Sequence, residues 1–264
     1  MEGSEPTITL EREGAVASVV LSNPPLNLFT ASAFNELMAC LDEVEGSGAR
    51  ALIWRAEGEI FTGGVDVNAF QRVVESGGES ATAMAGPLID GVRRLEALEI
   101  PTLALVHGLC LTAGLEVALG CDMIWAERPS RFGLAEAVVG LTPGAGGTQR
   151  MAERAWPGRA REFVMTGGLY DAETLERWGV VNRVVDEGTV HEKGMRFAQR
   201  LADGPTLAHA ATKRIVRAYC KGGVEAADAV TPGQFAELFE SEDLQGAVRS
   251  FLADGPGKAR FEGR

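Results

Sequence analysis

Residues 103–126, LALVHGLCLTAGLEVALGCDMIWA, are the longest apolar region of the chain. A membrane-spanning helix needs about 20 consecutive apolar residues with few or no charges. Glu116 and Asp122 interrupt this stretch, and Gly108, Gly114 and Gly120 break any uniform helix. It reads as a buried strand, a turn, a short helix and a second strand. A chain that packs strand, helix and strand into one apolar segment is set for an α/β core.

The flanking sequence extends the same alternation. ITLEREGAVASVVLS carries two β-prone runs around Glu13-Gly14, a hairpin signal. Thr30 is a candidate N-cap for a helix in which Phe34, Leu37, Met38, Leu41 and Val44 follow helical spacing to Gly46. ALIWRA reads as a buried strand, and a helix is expected over 84–98, before Ile100-Pro101. TLALV, DMIWA and SRFG read as strands. Further on, Asp171 is a candidate N-cap and Gly179 a candidate helix-ending glycine. After the strand VVNRVV, helices are expected near 187–203, 205–220, 224–240 and 242–253. The expected organisation is an α/β core over 1–190 and a helical subdomain over 191–264.

Composition narrows the partners. At 264 residues, 45% hydrophobic and 23% charged, the chain can bury a sizeable core. A formal net charge of −12 disfavours nucleic acid and anionic membranes as main partners. Cys40, Cys110, Cys121 and Cys220 form no C-x-x-C, and MEGSEPTITL has no leader character. Free thiols in a cytoplasmic protein are the plain expectation. His107, His191 and His209 lack metal-ligand spacing, so no metal site is expected. His107 is expected as a core or turn residue.

The segment GLTPGAGGTQR, residues 140–150, looks like a phosphate loop and is not one. No Gly-Lys-Ser/Thr follows, as a Walker loop requires, and Gln149 stands where a dinucleotide fingerprint needs its third glycine. Chemistry is signalled by two carboxylates instead. Glu116 in LTAGLEVALG and Glu136 in RFGLAEAVVG sit among small and apolar residues. Each is either a desolvated working group or a buried residue satisfied by a partner. Burial and a neighbouring carboxylate both raise a carboxyl pKa, so one can donate a proton while the other accepts. Thr112-Ala113-Gly114 precedes or opens the helix bearing Glu116, where free N–H groups suit an oxyanion. Phe61–Asp66 offers a second set of donors.

From about residue 8 to Arg264 the sequence resembles the crotonase superfamily, the enoyl-CoA hydratase/isomerase family. Four segments carry the likeness. ALIWRAEGEIFTGGVDVNAF resembles the family's strand followed by F-x-x-G-x-D. IPTLALVHGLCLTAGLEVALGCDMIWA resembles its glycine-rich segment bearing a glutamate and ending in Cys-Asp. RFGLAEAVVGLTPGAGGTQRM resembles F-G-x-P-E-x-x-x-G-x-x-P-G-x-G-G-T-Q-R-L and is nearly a signature by itself. LYDAETLERWGVVNRVV resembles the family's A-x-E-A-x-x-x-G-L-V-x-x-V element.

The resemblance implies a repeated ββα core, a C-terminal helical subdomain, and assembly as a homotrimer or homohexamer. It implies hydration of a trans-2-enoyl-CoA without a prosthetic group, coenzyme A being part of the substrate. The oxyanion hole falls on the N–H groups of Val65 and Ala113, and the two hydratase glutamates on Glu116 and Glu136. Gly144 matches the glycine whose N–H helps hold the water. Contacts to CoA fall on Leu26, Val65, Asp66, Val67, Asn68 and Ala113. Isomerases of the family usually replace the equivalent of Glu116 with an apolar residue, so both glutamates favour a hydratase over a Δ3-Δ2 isomerase or a specialised CoA-thioester enzyme. This chain departs from the pattern at Ala135, for a usual proline, at Val65, for a common alanine, and at Thr112-Ala113, for two common glycines.

Overall fold

The computed structural model describes residues 7–30, 32–66 and 68–264. The expected hairpin is present: β1 (Ile8–Glu13) pairs antiparallel with β2 (Val16–Leu21), and Gly14 turns between them at φ +60°. After α1 (Ala33–Gly46), strands β3 (Ala51–Ala56), β4 (Thr102–Val106), β6 (Met123–Glu127) and β9 (Arg183–Val185) extend the sheet in parallel, in the order β1-β2-β3-β4-β6-β9. A parallel sheet needs cover on both faces, and its central strands are almost wholly buried. Alternate residues divide between two cores. Ala17, Val19, Leu52, Trp54, Ala104 and Ile124 face one, while Val16, Ile53, Leu103, Leu105 and Trp125 meet Val190, Ala198 and Ala202 of α7 (Val190–Ala202) on the other.

A second, smaller sheet explains why the chain leaves the first sheet and returns. β5 (Leu109–Leu111) pairs with β7 (Arg131–Gly133), which pairs with β8 (Tyr170–Asp171). Single bridges Thr62–Cys110 and Phe29–Val65 prolong that layer. Each unit thus crosses the large sheet, makes a short strand in the small one, and enters a helix. α2 (Asn68–Ser76) and α3 (Gly78–Ala97) follow the first such excursion and α4 (Thr112–Leu119) the second. A 3-10 turn, Ala135–Val139, then α5 (Gly147–Thr166), follow the third. This is the repeated ββα core expected.

Local signals held where short-range chemistry decides. Asp171 caps α6 (Ala172–Arg177) by accepting from Thr174 N at 2.7 Å. Gly179, at φ +81°, ends it, with Gly179 N donating to Glu176 O and Val180 N to Leu175 O. Two expectations differ, and one helix is unexpected. Ser32, not Thr30, stands at the start of α1, and its hydroxyl bonds the Glu36 carboxylate instead of a backbone N–H. The helix expected over 84–98 is the larger, C-terminal part of α3, which begins at Gly78. α5 lies beyond the pattern analysis because Trp156 (φ +67°) and Pro157 kink it and interrupt its periodicity. α8 (Thr206–Glu240) is two helical runs joined at Gly222 and Gly223, close to the expected break, and α9 (Glu242–Asp254) follows. Arg50 binds Gly204 O, Thr206 Oγ1 and Phe261 O, and Asp243 accepts from Glu262 N and Gly263 N, which pins the C-terminal tail. Among the described residues, no helix is long and apolar enough to cross a membrane.

Candidate active site

Ligands of open parallel sheets gather beyond the carboxyl ends of the strands. Two loops leave those ends here, one after β3 and one after β4, and they are stitched together. Thr62 N donates to Leu109 O at 2.8 Å, Leu111 N to Thr62 O at 3.1 Å, and Phe61 N to His107 O at 3.1 Å. His107 Nε2 meets Gly58 O at 3.0 Å, while its ring packs on Phe61 and His191. Burial holds the His107 pKa below its ordinary value, so it serves as a neutral turn residue. Asn27, in the left-handed region at φ +49°, donates to Glu57 O and Ile60 O and fixes the other side of the first loop.

That stitching uses nearly every donor of Phe61–Asp66. Gly63 N bonds Leu26 O, Gly64 N bonds Thr62 Oγ1, and Asp66 N bonds Phe29 O. Among the described residues, Val65 N alone of the six is left without a partner. Across from it, α4 begins at Thr112, and its N-cap Leu111 offers no side-chain acceptor. Ala113 N, in the first turn, likewise has no partner among the described residues. Gly114 is required for this approach, because a Cβ there would run into the Thr62 side chain.

Thr112 is strained. It sits at φ +44°, a genuine outlier for a β-branched residue. Its Oγ1 is buried against Gly64 with no hydrogen-bond partner among the described residues.

Glu116 follows one turn into α4 and is 3% exposed. Its Oε1 accepts from Ala145 N and Gly147 N, both at 2.8 Å. The glycine-rich loop therefore cradles a carboxylate of its own chain. A Cβ on Gly147 would come within 2.9 Å of Glu116 Cγ, which explains the glycine. Desolvation first, and the nearby Glu136 with it, outweigh the two N–H bonds and Arg150 and leave the Glu116 pKa raised to about 7. Glu136, in the 3-10 turn, is 8% exposed, and its Oε2 is buried without a partner among the described residues. Desolvation raises its pKa as well.

Of the residues singled out from sequence, Glu116 is tied to the glycine loop through Ala145 N and Gly147 N, and the Phe61–Asp66 loop is tied through Thr62 to the strand before Ala113. Gly144 has open space where a Cβ would stand. Leu26 is 49% exposed and accepts Gly63 N through its carbonyl. Asp66 Oδ1 caps the start of α2 by accepting from Asn68 N at 3.0 Å and Asn68 Nδ2 at 2.7 Å. Val67 lies outside the described residues. Sequence reasoning missed Ala145 and Gly147 as carboxylate donors and Asn27 as loop anchor. The signal for the first was present, in two glycines with no phosphate to bind.

The match to known proteins is extensive. The family model described as enoyl-CoA hydratase/isomerase matches residues 11–264. A short-chain-enoyl-CoA hydratase of Clostridium acetobutylicum is 30% identical over 259 residues, covering 97% of each chain. A carnitinyl-CoA dehydratase of Salmonella typhimurium is 34% identical over 222 residues, 83% of each. Among solved structures, an enoyl-CoA hydratase subunit of Geobacillus kaustophilus superimposes with a TM-score of 0.90 at 31% identity, covering 98% of both chains. The chain belongs to the enoyl-CoA hydratase/isomerase family and has its crotonase-type fold.

Proposed function

We propose that the protein is an enoyl-CoA hydratase, adding water across the trans-2 double bond of an acyl-CoA thioester. The observation that carries this reading is the pair of buried carboxylates: Glu116, held by two backbone donors, and Glu136, with an oxygen that has no partner among the described residues. In this scheme the N–H groups of Val65 and Ala113 receive the thioester oxygen and stabilise the enolate. Glu116, ionised, takes a proton from water as the water oxygen bonds to the β-carbon. Glu136, protonated, delivers a proton to the α-carbon. Gly144 N helps hold the water. The elements of water are thereby divided between the two carbons, and one proton transfer between the carboxyls resets the site.

Raised proton affinities support these roles, because acid and base must both work near neutral pH. The similarity to a short-chain-enoyl-CoA hydratase and a carnitinyl-CoA dehydratase points the same way. The CoA portion is assigned to Leu26, Val65, Asp66, Val67, Asn68 and Ala113, with no prosthetic group. A Δ3-Δ2 isomerase would have no use for Glu116 as a water base, so the effect of Glu116→Gln on crotonyl-CoA hydration separates the two readings.

The reading extends to assembly and setting. Residues 1–190 carry the site, and the helical subdomain 191–264 covers the acyl pocket and serves assembly as a homotrimer or homohexamer. Exposed Phe235, Phe239, Phe251 and Leu252 on α8 and α9 support this. A cytoplasmic setting fits four cysteines that form no disulfide.

A further inference from the structure

The glycine loop that holds Glu116 is itself held from behind. Arg150, on the first turns of α5, is turned inward with its side chain only 7% exposed. Its Nε donates to Glu96 Oε1 and its Nη2 to Glu96 Oε2, both at 2.6 Å, a two-pronged pairing with α3. The remaining prong, Nη1, donates to Ala145 O at 3.3 Å and Gly146 O at 3.2 Å. The peptide joining Gly146 to Gly147 therefore lies between two ions: its carbonyl accepts from Arg150 and its N–H donates to Glu116. The two glycines divide the same task. A Cβ on Gly146 would collide with the Arg150 guanidinium, and one on Gly147 would crowd Glu116. Gly146 also sits at φ +99°, where a side chain is strained in any case.

We propose that Arg150 is a positioning residue for Glu116: anchored by Glu96, it fixes and polarises the peptide whose N–H grips the carboxylate. A carbonyl that accepts from a cation makes its own peptide N–H a better donor. Three groups at the loop then favour the ionised form of Glu116, namely Ala145 N, Gly147 N and the Arg150 charge, against burial and the nearby Glu136. A carboxyl buried this deeply would otherwise keep its proton and could not take one from water. The residue thus matters to the hydration scheme proposed above, on which its catalytic meaning rests. Its effect on the Glu116 carboxyl does not depend on that scheme.

The test reads the carboxyl directly. The Glu116 C=O stretch is followed through an infrared pH titration, isolated by subtracting the Glu116→Gln spectrum, in the parent and in Arg150→Met. The expected result is a midpoint about one pH unit higher in Arg150→Met, a tenfold gain in proton affinity, with Arg150→Lys in between. The alkaline-going rise of kcat/KM should move by the same amount in each variant, which a merely structural role would not produce. Should Arg150→Met fail to fold, the double variant Glu96→Gln/Arg150→Met leaves no stranded carboxylate and serves in its place. A folded variant in which Glu116 titrates at the parent pH overturns the proposal. Because the infrared midpoint needs no turnover, failure of the hydratase reading and failure of this one are distinguishable.

Discussion

The Thr112 hydroxyl lies against Gly64, in the space that a Cβ on residue 64 would need. The two residues immediately precede the proposed oxyanion donors, Ala113 and Val65. Thr112 holds a left-handed backbone that costs a side-chain-bearing residue about 1–2 kcal/mol, and its hydroxyl is buried without a partner among the described residues, about 1–3 kcal/mol more. Against these, glycine loses roughly 0.5–1 kcal/mol in chain entropy. Thr112→Gly should therefore leave the melting temperature unchanged or raise it, although most substitutions at packed positions lower it. A fall of several degrees in a thermal denaturation curve would show that Thr112 packing outweighs the strain.

Glu116 makes stability depend on pH. The folded protein holds this proton up to about 7, whereas the unfolded chain releases it near the ordinary value of 4.5. Between those values the folded state binds more protons, so stability falls as pH rises through the window. Glu116→Gln keeps an acceptor for Ala145 N and Gly147 N and removes the titration. Its stability relative to the parent should rise from pH 4.5 towards pH 7, by on the order of 3 kcal/mol in all, and level off above. Urea melts at a series of pH values give the difference curve, and a flat one would mean that Glu116 does not titrate in that range.

Ala113 should act through its backbone. Ala113→Gly keeps the N–H and is expected to retain activity. Ala113→Pro removes the donor at a helix start that tolerates proline, and loss of one oxyanion donor costs about 3–4 kcal/mol, a hundredfold to a thousandfold in rate. Rates are compared on proteins with matching unfolding curves. A folded proline variant working at the parent rate would remove Ala113 from the oxyanion hole.

Light scattering at micromolar concentration should find a trimer or a dimer of trimers. A stable monomer would leave the exposed apolar residues of α8 and α9 without the proposed role.

The core of the fold is legible in the sequence because short-range physics fixes it. The short, nearly continuous apolar runs VASVVL and ALIWRA mark buried strands, and Asp171 and Gly179 bound α6 by local hydrogen bonding. The two glutamates stand out because charge is rare among such neighbours. What stayed hidden depends on contacts distant in sequence. Nothing near Arg150 in the chain says that it turns inward to Glu96, 54 residues away, instead of outward to an anion. The donors at Ala145 and Gly147 belong to Glu116 only once α4 and α5 are packed together. Likewise, the five engaged N–H groups that single out Val65 are satisfied from His107, β5, Leu26, Phe29 and Thr62, none of which periodicity reveals.

The central claim is that two carboxylates hydrate an enoyl-CoA, and loss of the enone absorbance of crotonyl-CoA measures it most directly. The parent should consume the substrate and form 3-hydroxybutyryl-CoA. Glu136→Gln nearly preserves volume and removes a desolvated carboxyl, so it should lose hydration by a factor of about 10²–10⁴ or more while melting at or above the parent temperature. Glu116→Gln should suppress hydration as well and can retain proton exchange at the α-carbon. An inactive parent on enoyl-CoAs of every chain length, or a Glu136→Gln variant hydrating at the parent rate, would contradict the account.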